Sequence, residues 1–225
     1  MPEKRVLIWD VSGTLYSHDA DYYQLDYRTV ATVIAELGVM PFEQALEEAE
    51  RSKRERGSTY AVFLEKYGVD FATLDTRFCE KLLGDPAFAS PWRAGYDAFA
   101  KLPASITNVI ISHGKDPWIR AVVTKIGLGR FFKPEHIFSA SDAELRKDRS
   151  PAIFQRVCEA LQVAPRACTM IDDSPENLVY PKQLGMHTVL IDGQNLFPAA
   201  SAAKTGMPEW VDERYPTILE FLRAL

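Results

Sequence analysis

The sequence predicts an α/β protein: a doubly wound parallel sheet of Rossmann-like kind, with a small helical domain inserted into it. Three observations lead there. From residue 95 onward, short apolar runs alternate with helical stretches, the pattern of a parallel sheet covered by helices on both faces. Between residues 16 and 89 the readable periodicity is helical. Several apolar runs end in Asp or Ser, and in open α/β sheets the carboxyl ends of the strands are where ligands bind.

The elements follow in order. RVLIWD (5–10) is an apolar run that breaks into the glycine turn of VSGTLY, so it reads as a buried strand and its exit. Val30, Val33, Ile34 and Leu37 mark a helical face that Gly38 stops. A second helix follows Pro41, with Glu43, Glu47, Glu48 and Glu50 ahead of Arg51, Lys53, Arg54 and Arg56. That order complements the helix dipole and allows Glu47–Arg51 and Glu50–Arg54 pairs. Two further helical segments cover 59–67 and 70–83, and LGDPAFASP (83–91) reads as a linker. Beyond it, helices are expected at 95–102, 116–126, 151–162, 175–184 and 215–224, and strands at 107–112, 136–140, 167–172 and 186–192. The expected domains are an α/β core, 1–15 with 90–225, and a helical insertion, 16–89.

Bulk properties exclude several classes. With 225 residues, 47% hydrophobic and 25% charged, the chain has ordinary globular composition and enough length for a sizeable core. A net charge of −5 makes it a poor candidate for nucleic-acid or anionic-membrane binding. Its three cysteines, Cys79, Cys158 and Cys168, show no metal-ligand or disulfide spacing. No apolar stretch approaches a membrane span or a signal h-region, so the cytoplasm is the expected location.

The strand ends carry the candidate chemistry: Asp10, Ser112 and the Asp172–Asp173 pair, with Lys147 in the loop after the 136–140 strand. Carboxylate oxygens suit Mg²⁺. A lysine and a hydroxyl suit phosphoryl oxygens.

These segments resemble the four motifs of the haloacid dehalogenase superfamily. DVSGTLY resembles its first motif, and ISHG its second, an apolar strand ending in Ser or Thr. RKDRSPAIF resembles the third, with its lysine before Pro-x-Ile-Phe, and IDDSPEN the acidic fourth. LGM (184–186) fits the usual sequel. The helical insertion stands where the family's type-1 cap stands. The Asp-Asp-Ser…Asn form of the fourth motif, and GSTYAVFLEKYGVD (57–70) in the insertion, are similar to the pyrimidine 5′-nucleotidase-like group.

The resemblance implies an Mg²⁺-dependent phosphatase-type hydrolase acting on a small phosphorylated metabolite, a nucleotide among the candidates, as a monomer or homodimer. Asp10 would be the nucleophile, forming an aspartyl-phosphate. Asp10, the backbone carbonyl of Ser12, and Asp173 would hold the metal, with Asp172 behind them or as an outer ligand. Ser112 and the N–H groups of His113 and Gly114 would bind the transferring group. Lys147 would neutralise charge and orient Asp10.

Two positions depart from the pattern. Residue 12 is Ser, where phosphatases of the family carry the Asp that protonates the leaving group and activates water; a lone hydroxyl does neither at neutral pH. The nearest histidines that could substitute are His18 and His113. The lysine also stands one residue further from Pro-x-Ile-Phe than is common in the family, which leaves Arg146 as a competitor of Lys147. Tyr16, His18, Tyr22, Tyr23, Arg28 and the basic 51–56 cluster could face the substrate. The alternatives are a dehalogenase or phosphonatase, or an impaired member that mainly binds a ligand or partner. Paired Asp172 and Asp173 argue against dehalogenation, and neither Lys53 nor Lys66 is marked out as a Schiff-base lysine.

Overall fold

Strand β1 (Arg5–Trp9) is apolar from Val6 to Trp9, which fits it for a central position with both faces covered. It pairs in parallel with β2 (Ile106–Ser112) on one side and β4 (Cys168–Asp172) on the other. The remaining strands, β3 (Ile137–Ser139), β5 (His187–Ile191) and β6 (Glu213–Tyr215), extend the sheet to the order β3-β2-β1-β4-β5-β6, parallel throughout. This six-stranded sheet is the Rossmann-like α/β core. The computed structural model describes residues 5–56, 58–88, 92–194 and 206–225. Gly57 and residues 89–91, parts of the expected 57–70 motif and 83–91 linker, lie outside the described residues.

Side chains alternate between the two faces of the sheet. Val6, Ile8, Val109, Ile111 and Met170 pack with Ile153, Phe154 and Val157 of α7 (Ala152–Leu161) in one buried cluster. Trp9 points the other way, with its ring centroid 5.1 Å from Phe99 of α5 (Arg93–Phe99) and 5.8 Å from Phe221 of α9 (Ile218–Ala224). Its indole N–H donates to Asn108 Oδ1 at 3.0 Å, so burying the ring leaves no orphan donor. Cys158 and Cys168 are buried and Cys79 is half-buried, all as free thiols.

Strand β6 is not announced by the sequence pattern. A helix is expected at 215–224, but Tyr215 pairs with Ile191 and α9 opens only after Thr217, whose hydroxyl caps the Glu220 N–H. Three residues are too few for a period-two pattern to show, and pairing with β5 decides the matter. The helix expected at 175–184 likewise opens as a 3₁₀ turn, Pro175–Leu178, before α8 (Val179–Gln183).

The chain divides into two compact units, Met1–His18 with Pro91–Leu225, and Asp19–Ser90. The second is helical among its described residues: α1 (Ala20–Glu36), α2 (Phe42–Arg56), α3 (Ala61–Glu65) and α4 (Phe71–Gly84). Helix α6 (Asp116–Lys125) lies in the first unit. Asp19 caps α1, and its side chain accepts the Tyr22 N–H at 3.0 Å. On α2, Arg54 meets Glu50 at 4.0 Å, but Arg51 pairs with Glu48 rather than with Glu47. Exposed pairs of this kind add little to stability, because solvent screens them. Tyr23 is buried within this unit under the Lys53 ammonium. No helix among the described residues is long and apolar enough to cross a membrane.

Candidate active site

Strand order reverses between β1 and β4, since the connections after β1 run to one side and β4 returns on the other. Ligands of doubly wound sheets bind at that switch point, beyond the carboxyl ends. Asp10 directly follows β1, and its N–H donates to Ile171 O of β4 at 2.9 Å. Asp172 ends β4, and Asp173 follows it. Topology therefore brings together residues far apart in the chain.

Lys147 reaches them from the loop after β3. Its Nζ lies 2.6 Å from Asp10 Oδ1 and 2.6 Å from Asp172 Oδ2, and its side chain is 1% exposed. Arg146, the competitor, instead grips Asp148 at 2.9 and 3.2 Å. The loop between β3 and α7 carries a short 3₁₀ turn, Ala143–Leu145, and the Arg149 N–H returns to Arg146 O at 3.1 Å. Folded this way, the loop delivers Lys147 inward despite its offset from Pro-x-Ile-Phe.

The carboxylates differ in their commitments. Asp172 accepts Lys147 on one oxygen, and the Ser174 N–H (3.0 Å) and Asn177 Nδ2 (2.9 Å) on the other. It is wholly buried and orients the lysine. Asn177 lies inside the IDDSPEN motif; it received no role from the sequence alone, because a turn asparagine commonly serves its own backbone.

Carboxylate oxygens of Asp10, Asp172 and Asp173 lie within 4.8 Å of one another, all three residues buried. Ionised, they carry three negative charges against one on Lys147, and the excess of two equals the charge of a divalent cation. Hard oxygen donors at this spacing fit such an ion. Burial pushes the Asp10 carboxyl up, to about 6, with the Asp172 charge adding to the rise and Lys147 opposing it. Lys147 is held protonated because the two carboxylates beside it outweigh the cost of its burial. A bound cation would likewise favour the ionised form of Asp10.

Ser112, at the end of β2, is buried. Its hydroxyl faces the Gly114 N–H at 3.3 Å, so the hydroxyl and that amide lie side by side. His113 behaves differently from a candidate acid. Its Nε2 accepts the Lys147 backbone N–H at 3.1 Å, which places the ring proton on Nδ1. Burial, and then Lys147, push its pKa down to about 4. His113 therefore ties the lysine loop to β2 as a neutral ring and is a poor proton donor near pH 7. An NMR titration is expected to show it neutral down to about pH 4. It binds a proton more weakly folded than unfolded, so its contribution to stability is present above about 6.5 and falls away as pH drops toward 4.

Ser12 sits in the turn after Asp10. Gly13 holds φ at 78°, a conformation natural to glycine. The Val11 carbonyl accepts the N–H of Leu15 at 2.9 Å and of Tyr16 at 3.4 Å. This turn stacks residue 16 on residue 12 and leaves Ser12 Oγ 3.1 Å from the Tyr16 hydroxyl.

The family model of haloacid dehalogenase-like hydrolases matches residues 4–185. The chain belongs to that family. No curated protein sequence matches it. Solved structures of this superfamily share its fold at low identity. CbbY from Rhodobacter sphaeroides, a mutant in complex with xylulose-(1,5)bisphosphate, is 19% identical with a TM-score of 0.64, over 96% of this chain and 95% of that one. A HAD family hydrolase from Deinococcus radiodurans R1 with bound phosphate and sodium is 19% identical, TM-score 0.60, over 99% and 94%. L-2-haloacid dehalogenase from Xanthobacter autotrophicus is 16% identical, TM-score 0.60, over 97% of each chain. Such likeness fixes the fold of a haloacid dehalogenase-like hydrolase and leaves its reaction to be argued from the site.

Proposed function

We propose that this haloacid dehalogenase-like hydrolase is an Mg²⁺-dependent phosphatase that acts on a small phosphorylated metabolite through an aspartyl-phosphate on Asp10. One observation carries the reading: Asp10 and Asp172 flank a buried Lys147, with Asp173 beside them, in a trio of carboxylates whose excess charge matches a divalent cation. A dehalogenase attacking carbon has no use for that excess of negative charge. A phosphatase, which must gather a dianionic ester and a carboxylate in one place, requires a cation to offset both.

In this reading Asp10, the Ser12 carbonyl and Asp173 would hold the ion, and Asp172 would anchor Lys147. The ion supplies charge neutralisation for the phosphoryl oxygens. Ser112 and the N–H groups of His113 and Gly114 take those oxygens, while Lys147 fixes the Asp10 carboxylate for in-line attack. An Asp10 oxygen bonds to phosphorus as the ester P–O bond breaks, and the leaving oxygen takes up a proton. Water then attacks phosphorus, the bond to Asp10 breaks, and phosphate leaves with the carboxylate restored. The helical unit, residues 19–90, is the cap that selects the substrate.

Mg²⁺-dependent phosphate release from a panel of phosphate esters tests this reading. Ser12→Asp supplies a carboxylic acid where the leaving oxygen needs one, and general acid–base catalysis is worth about 10²–10⁴-fold. A gain of about tenfold or more on alkyl phosphates is expected. No release from any ester by the native chain, and none gained by Ser12→Asp, would sink the phosphatase. Halide release from 2-haloacids without metal would establish the dehalogenase in its place.

A further inference from the structure

Spacing along the chain marks no cysteine as a disulfide partner, but the fold sets two of them side by side. Cys158 lies near the end of α7, and Cys168 opens β4 ten positions later. We propose that these two thiols form a redox-responsive modification site, in which a hydroperoxide oxidises Cys158 and Cys168 then closes the disulfide.

Their proximity is built from the backbone outward. Helix α7 ends on Gln162, whose φ of 53° and ψ of 50° are left-handed, and the Val163 N–H returns to Cys158 O at 3.0 Å. A 3₁₀ turn, Pro165–Ala167, then leads directly into β4. There Cys168 pairs with Val6, and Met170 with Ile8. All four side chains belong to the buried cluster that α7 covers, and Cys158 belongs to it as well. Cys168 therefore faces the helix from which the chain has just returned, and the two thiols share a hydrogen bond. The Cys168 sulfur also lies 3.9 Å from Ala164 O, an acceptor in the same turn.

The pair is asymmetric. Cys158 is 8% exposed and Cys168 only 1%, so an oxidant the size of water meets Cys158 first. The reacting species is the thiolate. The hydrogen bond from Cys168 favours it, and holds the Cys158 pKa below that of an ordinary thiol against burial and the Glu159 charge. The same bond, with burial, pushes Cys168 up. With hydrogen peroxide, the Cys158 thiolate attacks one oxygen, the O–O bond breaks, and hydroxide leaves. The proton given up by Cys158 converts that hydroxide to water. Sulfur has then lost two electrons to the peroxide and stands as sulfenic acid. The Cys168 sulfur attacks it, the S–O bond breaks, the hydroxyl leaves with the Cys168 proton as water, and the S–S bond forms. Closure keeps Cys158 from the irreversible sulfinic acid. Asp172 stands at the other end of β4, about 13 Å along the strand. The chemistry needs neither metal nor phosphate ester, and it stands apart from the phosphatase reading.

Peptide mapping tests the proposal. The native chain is treated with hydrogen peroxide, its remaining thiols are alkylated in urea, and its peptides are weighed with and without dithiothreitol. The chain is expected to fall from its three free thiols to one, Cys79, with residues 158 and 168 recovered as a crosslink that dithiothreitol opens. Cys168→Ala removes the resolving thiol. In that variant dimedone should trap Cys158 as sulfenic acid, and excess peroxide should carry it to sulfinic acid, which the native chain does not reach. Cys158→Ala should keep Cys168 as a thiol. Recovery of both cysteines as thiols, under conditions that fully oxidise free glutathione, would overturn the proposal and leave two core thiols that only pack. A crosslink through Cys79, or one that forms only in chain unfolded before treatment, overturns it as well, since neither comes from the contact between α7 and β4. The native chain alone supplies these results, so an alanine variant that fails to fold does not remove the test.

Discussion

Replacing Lys147 with Met is expected to destabilise the protein by about 3–5 kcal/mol at pH 8 in metal-free buffer, the usual cost of removing one partner from a buried ion pair. The Lys147 ammonium has 1% side-chain exposure and stands between carboxylates of 7% and 0%. Methionine fills much of the space but leaves Asp10 and Asp172 facing one another without a counter-charge. Two neighbouring carboxylates in a buried site cannot both stay ionised cheaply, so at least one holds its proton to higher pH in the folded variant than in the unfolded chain. A folded-state pKa raised in this way means that the penalty is full above it and fades as pH falls. Urea unfolding at pH 8 and pH 5 should therefore show the loss shrinking on acidification. Mg²⁺ should narrow it at pH 8 by offsetting the same charge. A variant as stable as the native chain at pH 8 would show that the ammonium is not paired in the core. Arginine is not a conservative replacement, because a planar fork does not fit where a single Nζ meets two oxygens at 2.6 Å each.

Asp10→Asn should move activity and stability in opposite directions. On the proposed mechanism no aspartyl-phosphate can form without the carboxylate, so Mg²⁺-dependent phosphate release should fall to the blank. Acid-quenched native enzyme should show the mass of one added phosphoryl group, and the variant none. Burial raises the Asp10 carboxyl to about 6, so the ionised form is a cost of folding without metal, and asparagine removes that cost while its Oδ1 can still accept from Lys147. In metal-free buffer the variant should unfold at or above the native denaturant midpoint at pH 8. The sign follows from the raised pKa: the native chain bears the cost fully above about 6, and it vanishes as pH falls below 3.8. The advantage of Asp10→Asn should therefore grow from pH 4 to pH 7. Destabilisation across that range would mean that the Asp10 charge is a net contributor to the fold, its pairing with Lys147 outweighing the cost of its burial.

The sequence by itself determined the architecture's main lines, and it singled out Asp10, Lys147, Asp172 and Asp173, which the fold brings together. Apolar runs ending at Trp9, Ser112 and Asp172 are legible because a strand covered on both faces must be apolar almost throughout. The four motifs are legible because each is a short stretch in which several residues at fixed spacing serve one turn or one strand end. Family membership followed from those motifs in order.

Pairing and reach were decided only by the tertiary structure. Strand β6 is three residues long, and its pairing to β5, rather than any pattern of its own, makes it a strand. Glu48 takes Arg51 from Glu47 because neighbours one step apart on a helix end compete nearly equally, and Tyr67 also reaches Glu48, at 3.4 Å. Lys147 prevails over Arg146 through the path of a loop whose spacing to α7 pointed one residue away. His113, a candidate acid by proximity in the chain, accepts the Lys147 N–H, and burial and a neighbouring ammonium push its pKa down only once the chain is folded. Ser12 shows the division most plainly. Its identity, read from the sequence, says what the site lacks. Its hydroxyl contact with Tyr16, made by a single turn around Gly13, says what the fold has put beside it. Spacing along a chain records which groups are available; distances between strand ends and loop tips, which fix protonation and partnership, exist only after folding.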